Sequence, residues 1–265
     1  MKHRITSLWL FLLVLLSIIE TTNAQILFGP KLGYQGSWIR YAQLYDGPQY
    51  AEGYQFSPQL GAVYSFSVVK NLSFYSELYY TQRGKQERTG EITALMRHHE
   101  TSYHFLEVPL MLRISKPIRS SKKAPSVYLN AGPHVAFWLA GAGTLHSIET
   151  YGSDNRLTTD YMVSFTAAEG QEGLLYAEDA NRLQFGLNFG TGLLIPVNNK
   201  GHQLQVDFRY TYGTTFMGSD LDLEIANTAV EENLSFGHSM ASVSVAYAFY
   251  VDVWGLRKGK SVRRK

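Results

Sequence analysis

The sequence predicts an all-β fold, an eight-stranded antiparallel transmembrane β-barrel of up-and-down topology. Three observations carry that prediction. Eight runs alternate apolar residues with small or polar ones at a period of two, the period of a strand whose side chains face opposite ways in turn. The connections between runs alternate short and long, as in membrane barrels with tight turns at one rim and long loops at the other. The non-apolar faces hold Gly, Ser, Ala, Asn and Gln with few charges, which suits a cramped lumen better than a water-washed surface.

The runs are read in order as follows. Residues 26–40 set Phe28, Leu32, Tyr34 and Trp38 against Lys31, Gly33, Gln35 and Ser37. Residues 54–68 set Phe56, Leu60, Ala62, Tyr64 and Phe66 against Gln55, Ser57, Gln59, Gly61 and Ser65. After a tight turn at Lys70-Asn71, residues 72–83 set Leu72, Phe74, Leu78 and Tyr80 against Ser73, Tyr75, Glu77 and Tyr79. Residues 103–113 give the clearest case, with Leu106, Val108, Leu110 and Leu112 on one face and Phe105, Glu107, Pro109, Met111 and Arg113 on the other.

The fifth run, 126–140, sets Val127, Leu129, Val135, Phe137 and Leu139 against Tyr128, Asn130, Gly132 and His134. The sixth, 182–195, sets Leu183, Phe185, Leu187 and Phe189 against Gln184, Gly186, Asn188 and Gly190. The seventh, 202–213, sets Leu204, Val206, Phe208, Tyr210 and Tyr212 against Gln205, Asp207, Arg209 and Thr211. The eighth, 239–251, sets Val243, Val245, Tyr247 and Phe249 against Ser242, Ser244, Ala246 and Ala248. No stretch of useful length has a helical period.

Short connections fall at 69–71, 115–125 and 196–201, and long ones follow the first, third, fifth and seventh runs. The 141–181 connection, about forty residues, is longer than a compact soluble domain normally tolerates. A soluble eight-stranded barrel with its apolar face around a ligand is the competing architecture. The sparsely charged second faces argue against it. Tyr34, Trp38, Tyr80, Tyr210 and Tyr212 lie on the apolar face near the long-loop ends, as an interfacial aromatic girdle would.

The termini and composition set the compartment. Lys2, His3 and Arg4, the apolar run Leu8 to Ile19 and the small residues Thr22-Asn23-Ala24 read as a signal peptide over 1–24. The apolar run is too short for a spanning helix, which needs roughly 20 residues. A barrel domain then covers 25–252, and a basic periplasmic tail covers 253–265 with Arg257, Lys258, Lys260, Arg263, Arg264 and Lys265. The chain has no Cys, which excludes disulfides, thiolate metal sites and a lipid-modified N-terminal Cys. Export excludes nucleic acid as a partner. Asp220, Asp222, Glu224, Glu231 and Glu232 crowd a segment without Lys or Arg, so charge is divided between the two rims.

The run Leu106-Glu107-Val108-Pro109-Leu110-Met111-Leu112, followed by Leu129-Asn130-Ala131-Gly132-Pro133, resembles the PorT-like outer-membrane β-barrel family of Bacteroidota. Gly29-Pro30-Lys31-Leu32-Gly33, Phe74 to Gly84 and Phe208-Arg209-Tyr210-Thr211-Tyr212-Gly213 are similar to further family pieces, in the family's order, from about 26 to 250. The resemblance implies an outer-membrane barrel domain and says little about activity, although a few members belong to a protein-secretion system. The chain departs from the family by continuing past Phe249 and Tyr250 through Asp252 and Trp254 into the basic tail.

The candidate site is a lumen network of Lys31, Glu77, Glu107, Asp207 and Arg209. Each lies a similar number of residues from the short-turn end of its strand, so the five are expected at one depth. Charges at one level in a dry interior pair, because an isolated one is costly. Glu107 is expected to pair with Arg209 or Lys31. A structural plug is the main reading, and a gated conductance through the network is the other.

No catalytic residue, metal ligand or cofactor is assigned. His134, Ser242 and Ser244 are expected in the lumen without a nucleophile motif, and His98-His99-Glu100 is expected in a loop without a further ligand at metal spacing. The acidic loops 141–181 and 214–238, with Tyr151, Tyr161, Phe165, Tyr176 and Phe216, are candidates for binding a partner. The tail, with Lys116, Arg119, Lys122, Lys123 and Lys200 at the same rim, is a candidate for anionic headgroups or an acidic periplasmic partner.

The expected protein is therefore a non-enzymatic barrel of the cell outer membrane. Its role is structural or interaction-based, with outer-membrane lipid and envelope or secretion-system proteins as partners. A lipid-modifying enzyme and a narrow channel are the alternatives.

Overall fold

The computed structural model describes residues 26–41, 50–89, 97–121, 124–147, 157–166, 174–177, 180–197, 201–218, 221–225, 228–232 and 234–251. The expected signal peptide 1–24 and the expected basic tail 253–265 lie outside the described residues, as do Lys122, Lys123, Tyr151, Lys200 and Asp220.

The strands are β1 (Ile26–Tyr41), β2 (Tyr50–Glu52), β3 (Gln55–Val69), β4 (Leu72–Thr89), β5 (Arg97–Pro117), β6 (Ser126–Ser147), β7 (Leu157–Ser164), β8 (Leu174–Tyr176), β9 (Leu183–Pro196), β10 (Gln203–Gly213), β11 (Leu221–Ile225), β12 (Thr228–Glu232) and β13 (Phe236–Val251). Eight of them form the barrel, in the order β1, β3, β4, β5, β6, β9, β10, β13, each antiparallel to the next. β13 returns to β1 from Ile26↔Val251 to Tyr41↔Phe236, so the sheet closes and has no free edge along the wall. The expected fold class holds.

Tight turns at one rim fix the register. β3 and β4 are joined by Lys70-Asn71, where Asn71 adopts φ 69°, a left-handed conformation that Asn tolerates better than most residues. The β9–β10 turn closes through Gly201 at φ 87°, with Val197 N–H donating to His202 O at 2.9 Å. β1 begins and β13 ends at this same rim.

The faces divide as the alternation predicts. Leu112 is 57% exposed on the outer wall, whereas Glu107 and Met111 beside it are fully buried. The outer wall is apolar around the whole barrel, from Phe28 and Leu32 on β1 to Val243 and Val245 on β13. Tyr34 stacks on Phe56 at 6.2 Å, and Trp38 contacts both Tyr54 and Tyr210, forming an aromatic band toward the long-loop rim.

Several strands run beyond the expected bounds. β5 has 21 residues and β6 has 22, where a tilted membrane strand needs about 9–11. His98, His99 and Glu100 are therefore strand residues of β5, paired with Arg88, Glu87 and Gln86 of β4, and not the loop expected for them. The 141–181 connection is also partly sheet. Residues 141–147 continue β6, β7 pairs with them, and β8 adds in parallel to β7. Gly141 and Gly143 leave the space that Val163 and Tyr161 fill, since a Cβ at either would meet those side chains at 2.8 and 2.4 Å. Within 214–238, β11 and β12 form a separate hairpin, and β13 starts at Phe236, three residues before the expected point.

Candidate functional site

The lumen holds three layers. Nearest the short-turn rim lies a small apolar cluster of Val63, Tyr75, Met111, Ala246 and Ala248. Above it is a charged layer centred on Glu77. At the long-loop rim a larger cap gathers Tyr103, Phe105, Trp138, Tyr161, Met217 and Phe236. Met217 is folded in by paired backbone, with its N–H donating to Phe236 O at 2.9 Å and its carbonyl accepting from Asn181 N–H at 2.8 Å.

Glu77 is the hub of the charged layer. Its Oε2 accepts from Lys31 Nζ and from Arg209 Nη1, each at 2.6 Å, and its Oε1 accepts from Arg209 Nη2 at 2.8 Å and from the Tyr75 hydroxyl. Arg209 Nη2 also lies 2.9 Å from Asp207 Oδ1. Asp207 Oδ2 accepts from the Tyr128 hydroxyl at 2.6 Å and from Asn130 Nδ2 at 3.2 Å. Lys31 sits 4.8 Å from the centre of the Tyr79 ring. Four strands thus meet through β1, β4, β6 and β10. Each carboxylate is multiply bonded, the condition under which buried charge is tolerated.

Four of the five expected residues belong to this layer, and the fifth does not. Glu107 pairs neither with Arg209 nor with Lys31. Its Oε1 accepts from Arg83 Nε at 3.0 Å and also from Arg83 Nη2, and its Oε2 accepts from the Tyr79 hydroxyl at 2.7 Å. The reason is stagger. In the β4–β5 register Glu107 lies opposite Tyr79, one inward position beyond Glu77, so counting from each strand's own turn misses the shear of a closed barrel. Arg83 extends this second cluster, donating from Nη1 to Gln184 Oε1 at 3.1 Å and lying 4.2 Å from the Phe105 ring centre.

Arg83, Tyr75, Tyr79 and Tyr128 are the site residues not singled out in the sequence. All share the inward parity of their strands, and Arg83 lies six residues beyond Glu77 on β4, so that parity was the available signal. His134 and Ser244 face the lumen as expected and are buried, and Ser242 is half-buried. Among the described residues, His134 Nδ1 and both ring nitrogens of His238 have no hydrogen-bond partner. Among the described residues, no group of three or more His, Asp or Glu is placed to hold a metal ion. On the outer wall, a depression of about 680 Å³ lies around Gly36 and Ala241, between Tyr34, Phe56, Phe208 and Tyr210.

Comparison with known proteins gives one family. Residues 20–215 match the family model described as outer membrane protein beta-barrel domain. Solved structures similar to the chain include Neisserial surface protein A at 10% identity, covering 87% of this chain and 98% of that one with a TM-score of 0.38. OprG from Pseudomonas aeruginosa is 14% identical, covers 86% and 96%, and has a TM-score of 0.44. Ail of Yersinia pestis is 12% identical, covers 84% and 98%, and has a TM-score of 0.33. No curated protein matches the sequence. With the family match spanning most of its barrel strands, the chain belongs to the outer membrane protein beta-barrel domain family, and its apolar outer wall is the membrane-facing surface of an outer-membrane protein.

Proposed function

We propose that the protein is a closed, non-catalytic scaffold of the outer membrane, of the PorT-like type, that acts by holding envelope proteins at its rims, including those of a secretion assembly. The observation that carries this reading is the filled lumen. The ion-paired layer around Glu77 and the Glu107–Arg83 pair are buried, and the aromatic cap lies above them. A bore of eight strands is narrow enough for side chains to fill. Acyl chains of outer-membrane lipid meet the outer wall, and partner proteins meet the loops and the short-turn rim. Lys116 and Arg119 are exposed at that rim, next to the start of β6.

A serine–histidine pair inside the lumen is disfavoured by the surroundings of the buried histidines. A serine nucleophile needs a histidine base within hydrogen-bond reach, itself oriented by a third group. Among the described residues, His238 has no hydrogen-bond partner on either ring nitrogen and His134 none on Nδ1. The test has two arms. Planar-bilayer recording of the purified protein should show no sustained large conductance, and its appearance would overturn the closed-lumen reading. Co-purification from native membranes should recover envelope proteins that are lost when residues 148–156, between Ser147 and Leu157, and residues 219–233, between Gly218 and Leu234, are deleted, which leaves the barrel strands and the cap in place. Recovery of none, together with lipid hydrolysis that disappears in His134→Ala, would replace the scaffold with an enzyme.

A further inference from the structure

We propose that Arg113 and Gln205 form a binding site for a small oxyanion, of the carboxylate or phosphate class, reached from the short-turn rim of the barrel. The inference begins with a charge count. The buried charged side chains of the described lumen are the cations Lys31, Arg83, Arg113 and Arg209 and the carboxylates Glu77, Glu107 and Asp207. Three of the cations lie against a carboxylate, at 2.6 Å for Lys31, 2.5 Å for Arg83 and 2.6 Å for Arg209. Arg113 is 2% exposed and has no carboxylate partner among the described residues. A buried cation left over in this way is costly, and one bound anion would balance the lumen.

The local chemistry is that of a donor cluster. Arg113 Nη1 donates to Gln205 Oε1 at 3.0 Å, which uses the only acceptor the Gln205 side chain offers it. Arg113 Nε and Nη2 and Gln205 Nε2 are all buried without a hydrogen-bond partner among the described residues. Three unmatched donor nitrogens on two adjoining side chains call for an acceptor, since buried polar groups are otherwise almost always satisfied. Asn130, opposite Arg113 in the β5–β6 register, does not supply one. Its Nδ2 is committed to Asp207, and its Oδ1, likewise buried without a hydrogen-bond partner among the described residues, fills the space beside Gly190 and makes no hydrogen bond to Arg113.

Geometry narrows the ligand. The Arg113 guanidinium carbon lies 3.5 Å from the Tyr75 ring centre and 4.0 Å from that of Tyr128, so two aromatic rings occupy its surroundings as cation–π partners. The hydrogen-bonding edge remains, a planar fork that matches two oxygens of a carboxylate or phosphate. Both tyrosine hydroxyls are committed to the charged layer, to Glu77 and to Asp207, and so hold the rings in place. The rim supplies the approach. Arg113 lies four residues inside the end of β5 at Pro117, about 13 Å along the strand at 3.3 Å per residue. Ser65, Ser73 and Ser115 share its inward parity there, beside the small apolar cluster of Tyr75 and Met111 and in contrast to the larger aromatic cap at the opposite end.

The test uses the full-length barrel in lipid nanodiscs, with sodium phosphate and sodium acetate as separate probes and sodium chloride at equal ionic strength as the control. Calorimetric titration of the wild type should give saturable binding of one anion per chain, and that probe should raise the thermal midpoint by mass action. Phosphate and acetate arms identify which oxyanion fits. Arg113→Gln should abolish binding, and Arg113→Lys, which keeps the charge without the fork, should weaken it at least about tenfold. Gln205→Glu supplies the missing carboxylate from within. It should raise the midpoint without added anion and remove the response to both probes. An equal response to chloride, no saturable binding in the wild type, or unchanged binding in Arg113→Gln would overturn the proposal. If Arg113→Gln does not fold, a Gln205→Glu barrel that still binds the probe as the wild type does would overturn it instead.

Discussion

Glu77→Gln is the most revealing perturbation of the lumen. The carboxylate takes hydrogen bonds from Lys31, from both terminal nitrogens of Arg209 and from Tyr75, and the neutral amide keeps only one oxygen for all of them. Arg209 retains Asp207 at 2.9 Å, but Lys31 is left with the face of Tyr79, 4.8 Å away. The cost is therefore dominated by a buried ammonium without a counter-charge. Removing one partner of such a pair typically costs about 3–5 kcal/mol. Urea unfolding of the refolded barrel in lipid vesicles, followed by Trp fluorescence and heat-dependent electrophoretic mobility, measures it. Adding Lys31→Met to Glu77→Gln removes the orphaned charge, so the double variant should recover about 1–3 kcal/mol relative to the sum of the singles. A loss below about 1 kcal/mol for Glu77→Gln, or strict additivity of the two changes, would refute the buried-pair reasoning.

Three further outcomes are expected. Leu110→Arg puts a charge on the lipid face near the middle of β5 and should destabilise the barrel by about 2–4 kcal/mol in the same unfolding assay. Gly29→Ala should impair closure between β1 and β13, because its Cβ would lie 1.8 Å from the Tyr247 carbonyl oxygen. Backbone cannot yield as a flexible side chain does, so a cost of at least about 1–3 kcal/mol should appear as a lower refolded fraction. Trp138→Ala removes the ring packed on Tyr103 and Phe165 at 5.2 and 4.8 Å, and should cost about 3–5 kcal/mol. Its bilayer recordings should stay silent, because the charged layer below the cap remains.

The fold was legible wherever one alternation decided both faces. From Leu106 to Leu112 the period of two assigned every side chain to the correct wall, and the Lys70-Asn71 turn marked the rim. The lumen was legible one strand at a time and not across strands. Parity put Glu107 inside, but its partner depends on the stagger between β4 and β5, which no single strand encodes. Arg83 was passed over because its strand seemed to stop there, whereas β4 continues to Thr89. Strand ends were hidden at the long-loop rim for a related reason. Beyond the membrane no lipid enforces apolar alternation, so Gly141, Gly143 and Thr144 read as loop although β7 pairs with them.

The most direct measurement is a map of which β5 side chains touch lipid. The chain contains no Cys, so single cysteines at Leu106, Leu110 and Leu112 on one face, and at Phe105 and Met111 on the other, can each carry one fluorophore without background. In bilayers with brominated acyl chains, an outer-membrane barrel with its apolar wall outward predicts quenching at Leu106, Leu110 and Leu112 and none at Phe105 or Met111. Quenching at Phe105 and Met111, with Leu106, Leu110 and Leu112 shielded or labelled only by membrane-impermeant reagents, would contradict it.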